Sequence, residues 1–144
     1  ARANILRGET FDVSWLRSLG PVAFSQRRKL NARGWSARML DVVTPAKATF
    51  NNCNSSAWKE DLLAVNGYDE RMQYGGSDRE IGERLMNYGI KGKQIRHRAI
   101  VVHLDHPRGY KTGESLERNL RIRKETKRMK VRWTAHGIVK GSGE

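Results

Sequence analysis

The sequence predicts a mixed α/β domain, and three observations carry that expectation. Residues 77–88 place Ile81, Leu85 and Tyr88 on one face at helical spacing, between Ser77 and Gly89. Residues 115–133 read as a long basic helix with Leu116, Leu120 and Met129 as apolar anchors. Against these stands Ile100-Val101-Val102, a β-branched run that reads as a buried strand. The strands are few, so the expected sheet is small or incomplete.

The remaining elements follow in chain order. Residues 11–19 form a short helix that Gly20-Pro21 ends, and residues 22–32 a second one with Gly34 as its stop. Residues 39–43 read as a strand ahead of Pro45, and residues 49–54 as an extended segment. Ser55 or Ser56 caps a helix to about Val65, because a short hydroxyl accepts from free backbone N–H groups. Gly67 is its C-terminal stop. Asn66-Gly67-Tyr68-Asp69-Glu70 is a turn and Tyr74-Gly75-Gly76 a flexible loop. Ser77-Asp78-Arg79-Glu80 fits a capping box, with Ser77 as N-cap. Residues 93–95 and 99–103 are further strands, and residues 141–144 a flexible tail.

Composition limits the function classes. The 144 residues suffice for one domain with a modest core. No apolar run is long enough to span a bilayer. The single cysteine, Cys53, reads as a small core residue and suits a reducing compartment. The net charge of +13 calls for an acidic or phosphorylated partner. Residues 1–50 carry nine basic and three acidic side chains, residues 51–110 nine and eight, and residues 111–144 ten and four. The motif-rich middle is therefore the least basic part. That argues against a nucleic-acid reader, which concentrates its charge on the reading surface. The basic helix after Ser115 reads as a solvated face, or as a surface attracted to anionic lipid.

Two places stand out chemically. Asp78 follows Tyr74-Gly75-Gly76-Ser77 at a helix start. Glycines there let the backbone approach a ligand closely. The carboxylate can take a proton from a hydroxyl, or simply complement the helix dipole. His103-Leu104-Asp105-His106 follows the apolar strand and holds groups that bind a divalent ion or serve as solvated loop residues. His97 reads as strand-edge surface and His136 as part of the tail.

A resemblance connects these places. Asn52-Cys53-Asn54-Ser55-Ser56-Ala57-Trp58-Lys59-Glu60-Asp61-Leu62, then Val65-Asn66-Gly67-Tyr68-Asp69-Glu70, then Tyr74-Gly75-Gly76-Ser77-Asp78-Arg79-Glu80, and finally His103-Leu104-Asp105-His106 occur in the order and spacing of one family. Residues 50–106 resemble the C-terminal part of bacterial family 2 glycosyltransferases, and more loosely animal galactosyltransferases. Transferases of lipopolysaccharide core and capsule are the most similar in flavour. The resemblance implies a partial mixed sheet of GT-A type with flanking helices. It also implies inverting transfer from a nucleotide-diphosphate sugar to a hydroxyl of a glycan or lipid-linked acceptor.

By position, Asp78 matches the general base, and His106 and His103 match ligands of a divalent cation, Mn2+ or Mg2+. Asn54, Trp58, Tyr74, Gly75, Gly76 and Ser77 fall where relatives line the substrate cleft. Residues 1–110 would form the acceptor-side catalytic region and residues 111–140 a basic helical extension. The setting implied is cytoplasmic, at the cytoplasmic face of the membrane.

The chain departs from the pattern in two ways. Ser77-Asp78 stands where many relatives have Glu-Asp, whose glutamate contacts the acceptor, and Tyr74 stands where they have Trp. No Asp-x-Asp, Gly-x-Gly-x-x-Gly or P-loop occurs, so a nucleotide-binding half is expected upstream of residue 1. Two alternatives are a basic nucleic-acid-binding module and a metal-dependent hydrolase built on His97, His103 and His106.

Overall fold

A computed structural model describes residues 2–102 and 112–140. The chain divides into two compact units. The first contains residues 2–47 and 94–102, the second residues 48–93 and 112–140.

The first unit is helical. α1 (Arg2–Leu6) and a 3-10 turn (Glu9–Phe11) lead to α2 (Val13–Leu19), α3 (Phe24–Asn31) and α4 (Gly34–Val43). Local chemistry sets the starts. Asp12 accepts the Trp15 N–H at 2.9 Å, the Gln26 side chain accepts the Ala23 N–H at 2.9 Å, and the Ser36 hydroxyl accepts the Arg33 N–H at 3.2 Å. Few apolar side chains are buried here; Leu30 and Ala37 are. Residues 94–102 carry His97, whose ring Nδ1 lies 3.0 Å from the Asp41 carboxylate on α4.

The second unit contains α5 (Lys59–Ala64), α6 (Ser77–Tyr88) and α7 (Gly113–Arg128). Its apolar core is Val65, Ile81 and Leu85, with Phe50, Leu62 and Ile90 against it. Gly82 fits because Phe50 lies where a Cβ would stand. α5 ends as Asn66 turns left-handed, at φ 64°, and the Gly67 N–H reaches back to the Leu62 carbonyl at 2.8 Å.

Polar side chains complete this core. Glu80 and Arg84, one helical turn apart on α6, are both buried. The Arg84 guanidinium binds the Glu80 carboxylate at 2.8 Å and donates to the carbonyls of Val65 and Gly67. Glu80 also accepts from the Thr126 hydroxyl of α7 at 3.0 Å. The buried face of α7 is thus Ser115, Asn119 and Thr126, and the expected anchors Leu120 and Met129 are largely exposed. Asn66 binds the 134–139 segment, donating to the Thr134 and Val139 carbonyls and accepting the Val139 N–H. Gly137 presses so close to the Asn66 carbonyl that no side chain fits there.

The expected α/β sheet is overturned: no sheet occurs among the described residues, where the only β pairing is an isolated bridge between His136 and Lys140. The reason is visible in the backbone donors. The 39–43 run lies inside α4 rather than a strand, because helical bonds continue from Gly34 until the Thr44 N–H closes on the Leu40 carbonyl. In the 49–54 segment the Asn51 N–H goes to the Ser55 hydroxyl, the Asn52 N–H to Asp78 and the Asn54 N–H to the Asn51 carbonyl. In the expected strands at 93–95 and 99–102 the chain curls instead. Arg98 and Ala99 both donate to the Ile95 carbonyl, while the His97 N–H goes to Asp41. A strand needs those groups for a neighbour.

Smaller corrections accompany this. α5 starts after Trp58 rather than at Ser55 or Ser56, and α6 follows Gly76, with Ser77 already helical and Glu80 turned inward. Gly34 opens a helix instead of stopping one. Cys53 is exposed and His97 is buried. Residue 103 and the 141–144 tail lie outside the described residues. Among the described residues, no helix is long and apolar enough to cross a membrane.

Two stability measurements check the polar core. Arg84→Leu leaves Glu80 buried without its cation and should cost about 3–5 kcal/mol in urea unfolding. The double variant Glu80→Leu, Arg84→Leu should recover part of that, because no lone charge remains. Asp69 gives the pH dependence. Burial pushes its carboxyl up, but hydrogen bonds from Arg71 and Thr134 outweigh this and hold it below the ordinary carboxylate value. A depressed carboxyl stabilises the fold above its unfolded value of about 3.9 and loses that contribution as pH falls through its folded value. The urea midpoint should therefore fall below about pH 4. Asp69→Asn should flatten that limb.

Candidate functional site

The second unit presents a cleft of about 470 Å³ lined by Asn51, Gly75, Gly76, Asp78, Arg79 and Arg123, with Leu116 and Leu120 as its apolar side. Its floor is shaped by the glycine loop. Gly75 (φ 106°) and Gly76 (φ 89°) adopt a conformation that side chains disfavour. A Cβ on Gly75 would also strike Leu116 of α7. The buried Asn119 amide on α7 donates to three consecutive carbonyls of this loop, Gln73 at 3.2 Å, Tyr74 at 3.1 Å and Gly75 at 2.9 Å. The loop expected to be flexible is thereby clamped from below.

Asp78 sits in the first turn of α6, half-buried at the edge of this loop. One carboxylate oxygen accepts the Arg79 N–H at 2.8 Å, the other the Asn52 N–H at 3.3 Å. These bonds orient the group and leave lone pairs for a ligand hydroxyl. Behind it, the Tyr68 hydroxyl donates to the Asn52 side-chain oxygen at 2.5 Å. Burial and the negative charge of Asp78 push the Tyr68 hydroxyl up from its ordinary value. Across the cleft, Arg123 pairs with the buried Glu83 at 2.6 Å and lies against Gly76.

Of the sequence candidates, Gly75, Gly76 and Asp78 share the cleft lining, and Ser77 is the first residue of α6 beside them. Asn54 is exposed in the 51–54 turn, its N–H bonded to the Asn51 carbonyl. Trp58 precedes α5 with its side chain 78% exposed, and Tyr74 is half-buried above Asn119. These three are not among the cleft-lining residues. His103 and His106 lie outside the described residues. Asn51, Arg79 and Arg123 were not singled out as site residues from sequence. Arg123 was legible only as one of many charges on a basic helix, and nothing local marks it as facing a glycine loop.

Among the described residues no three His, Cys, Asp or Glu side chains converge on a metal-sized position. Among the described residues, Asp78 is the only carboxylate in the cleft lining, and they provide no metal cage. The His97 of the hydrolase alternative is buried, with its ring against Asp41.

An oriented acid beside a glycine loop, with arginines across an open cleft, defines a site for a polar, hydroxylated ligand. Residues 35–107 match the family model described as the N-terminal domain of galactosyltransferase, and the match spans half of the chain. The chain belongs to that family, whose chemistry is glycosyl transfer between a nucleotide-sugar donor and a glycan acceptor. No curated protein and no solved structure matches it significantly.

The clamp on the glycine loop is checked by Asn119→Ala. Leaving the carbonyls of Gln73, Tyr74 and Gly75 without their donor should cost about 1–3 kcal/mol. Amide hydrogen exchange should rise at residues 73–76 ahead of the rest of α6.

Proposed function

We propose that the chain supplies the acceptor side of an inverting glycosyltransferase, with Asp78 as general base. The observation that supports this is the oriented Asp78 carboxylate in the cleft beside Gly75 and Gly76. An acceptor hydroxyl donates to Asp78. As its proton passes to the carboxylate, the oxygen attacks the anomeric carbon of the donor sugar. The bond from that carbon to the nucleotide diphosphate breaks on the opposite face, and the electron pair leaves with the diphosphate. Configuration inverts because attack and departure occupy opposite faces. Positioned proton removal of this kind contributes about 10²–10⁴-fold.

Arg79 and Arg123 make the cleft wall cationic, which favours acceptors carrying negative charge. The acceptor is a glycan or lipid-linked sugar. The chain works at the cytoplasmic face of a membrane, where the exposed Arg121, Lys124, Arg128, Lys130 and Arg132 in and after α7 suit an anionic lipid surface. A divalent cation, Mn2+ or Mg2+, stays assigned to His106 and His103 by the sequence resemblance, and no step above runs through it.

Asp78→Asn in the full-length enzyme should lower transfer by about 10²–10⁴-fold. Calorimetric affinity for the nucleotide-sugar donor should stay within about twofold, well under the tenfold that 1.4 kcal/mol represents. Turnover equal to that of the unaltered enzyme would reject Asp78 as the base. Retention of the donor's anomeric configuration in the product, read by NMR, would reject inversion.

A further inference from the structure

The first unit carries a second cleft, of about 460 Å³, that the transferase reading does not use. Leu30, His97 and Ile100 form part of its wall, and Arg33, Arg38 and Arg98 bring nitrogen donors to it. Asp41 organises two of these. Its carboxylate binds the His97 ring at Nδ1, 3.0 Å away, and Arg98 Nε at 2.7 Å. Burial pushes the Asp41 carboxyl up, but these bonds and the His97 N–H outweigh it and hold the group below its ordinary value. Asp41 is therefore a fixed anion that aims a histidine and an arginine. With Nδ1 donating to Asp41, His97 serves to hold that carboxylate in place.

The other two arginines have no such counterpart. Arg33 and Arg38 are exposed and make no ion pair among the described residues. Arg33 directly precedes α4, and Gly34, the first residue of that ten-residue helix, also lines the cleft. The first-turn N–H groups of a helix attract anions. Three guanidiniums therefore face one cleft against a single carboxylate. Elsewhere in the same unit burial and the neighbouring Arg96 charge push the Lys29 ammonium below its ordinary value.

We infer that this cleft binds a phosphate group, with Arg33, Arg38 and Arg98 gripping its oxygens. Guanidinium forks match phosphate oxygens in pairs, and such charge-assisted bonds are the strong ones. A phosphorylated sugar and a lipid headgroup both offer that chemistry. The site does not depend on Asp78 or on the transferase reading.

The test titrates the isotope-labelled chain with inorganic phosphate, a hexose 1-phosphate, and phosphatidylglycerol vesicles, following the Gly34 and Ala37 amides by NMR. Saturable shifts with phosphate or the hexose phosphate identify a soluble or sugar-borne ligand. Shifts with vesicles alone identify a lipid headgroup. In either case the double variant Arg33→Gln, Arg38→Gln should weaken the response by about tenfold or more, because two charge-assisted contacts are lost. Both side chains are exposed, so the variant should keep its helical circular dichroism. Lys91→Gln, exposed beyond the end of α6, should change nothing at these amides. The inference is overturned if no probe moves the α4 amides, or if Lys91→Gln weakens binding as much as the double variant.

Discussion

The second unit depends on one buried guanidinium. Arg84 is fully buried, and so is the Glu80 carboxylate that neutralises it. Neither ion would be tolerable there alone, since an unpaired buried charge costs several kcal/mol. Paired, they do more than cancel. Arg84 also satisfies the carbonyls of Val65 and Gly67, the otherwise unmet acceptors where α5 ends. Glu80 extends the network to Thr126, so three segments distant in sequence meet at one ion pair.

The same logic repeats around it with neutral groups. Asn66 holds the 134–139 segment, Asn87 donates to the carbonyls of Thr126 and Val131 where α7 ends, and Asn119 holds the glycine loop. Each amide satisfies backbone groups of a segment distant in sequence. Small apolar area is the physical background: Val65, Ile81 and Leu85 are few for a core, and directional bonds supply what burial cannot. The motif Asn66-Gly67-Tyr68-Asp69-Glu70 is mostly such scaffolding. Asn66 and Asp69 are buried and bonded, and Tyr68 alone reaches toward Asp78, through Asn52.

This scaffold explains how a short acidic side chain becomes a site. The α6 start is fixed by Glu80 and Arg84 beneath it, and the loop before it by Asn119. Asp78 is thus carried on a rigid helix start and presented beside backbone that only glycine allows. Membership of the galactosyltransferase family gives this arrangement its chemical context, glycosyl transfer. The first unit follows a different rule. It exposes much of its apolar surface, Trp35 and Phe24 among it, and gathers cations that have no ion pair among the described residues about the Asp41–His97 pair.

Sequence alone determined what is local. The α6 helix, its stop at Gly89, the special backbone of Gly75 and Gly76, and the placing of an acid at that helix start could all be read from residue order. So could the looser likeness to galactosyltransferases, because Asn66-Gly67-Tyr68-Asp69-Glu70 and Asp78 stand at recognisable intervals. The absence of a sheet among the described residues could not be read. A β-branched run such as Ile100-Val101-Val102 specifies a preference for extension, whereas a sheet requires a neighbour whose donors and acceptors are still available. Here Asp41, Ser55 and Asp78 take those donors, and their reach across the chain is a tertiary fact. The buried place of Glu80 and Arg84, the inward turn of Arg123 and the burial of His97 belong to the same class. Charge patterns place such residues on solvent, and only the partners brought close by folding make their burial affordable.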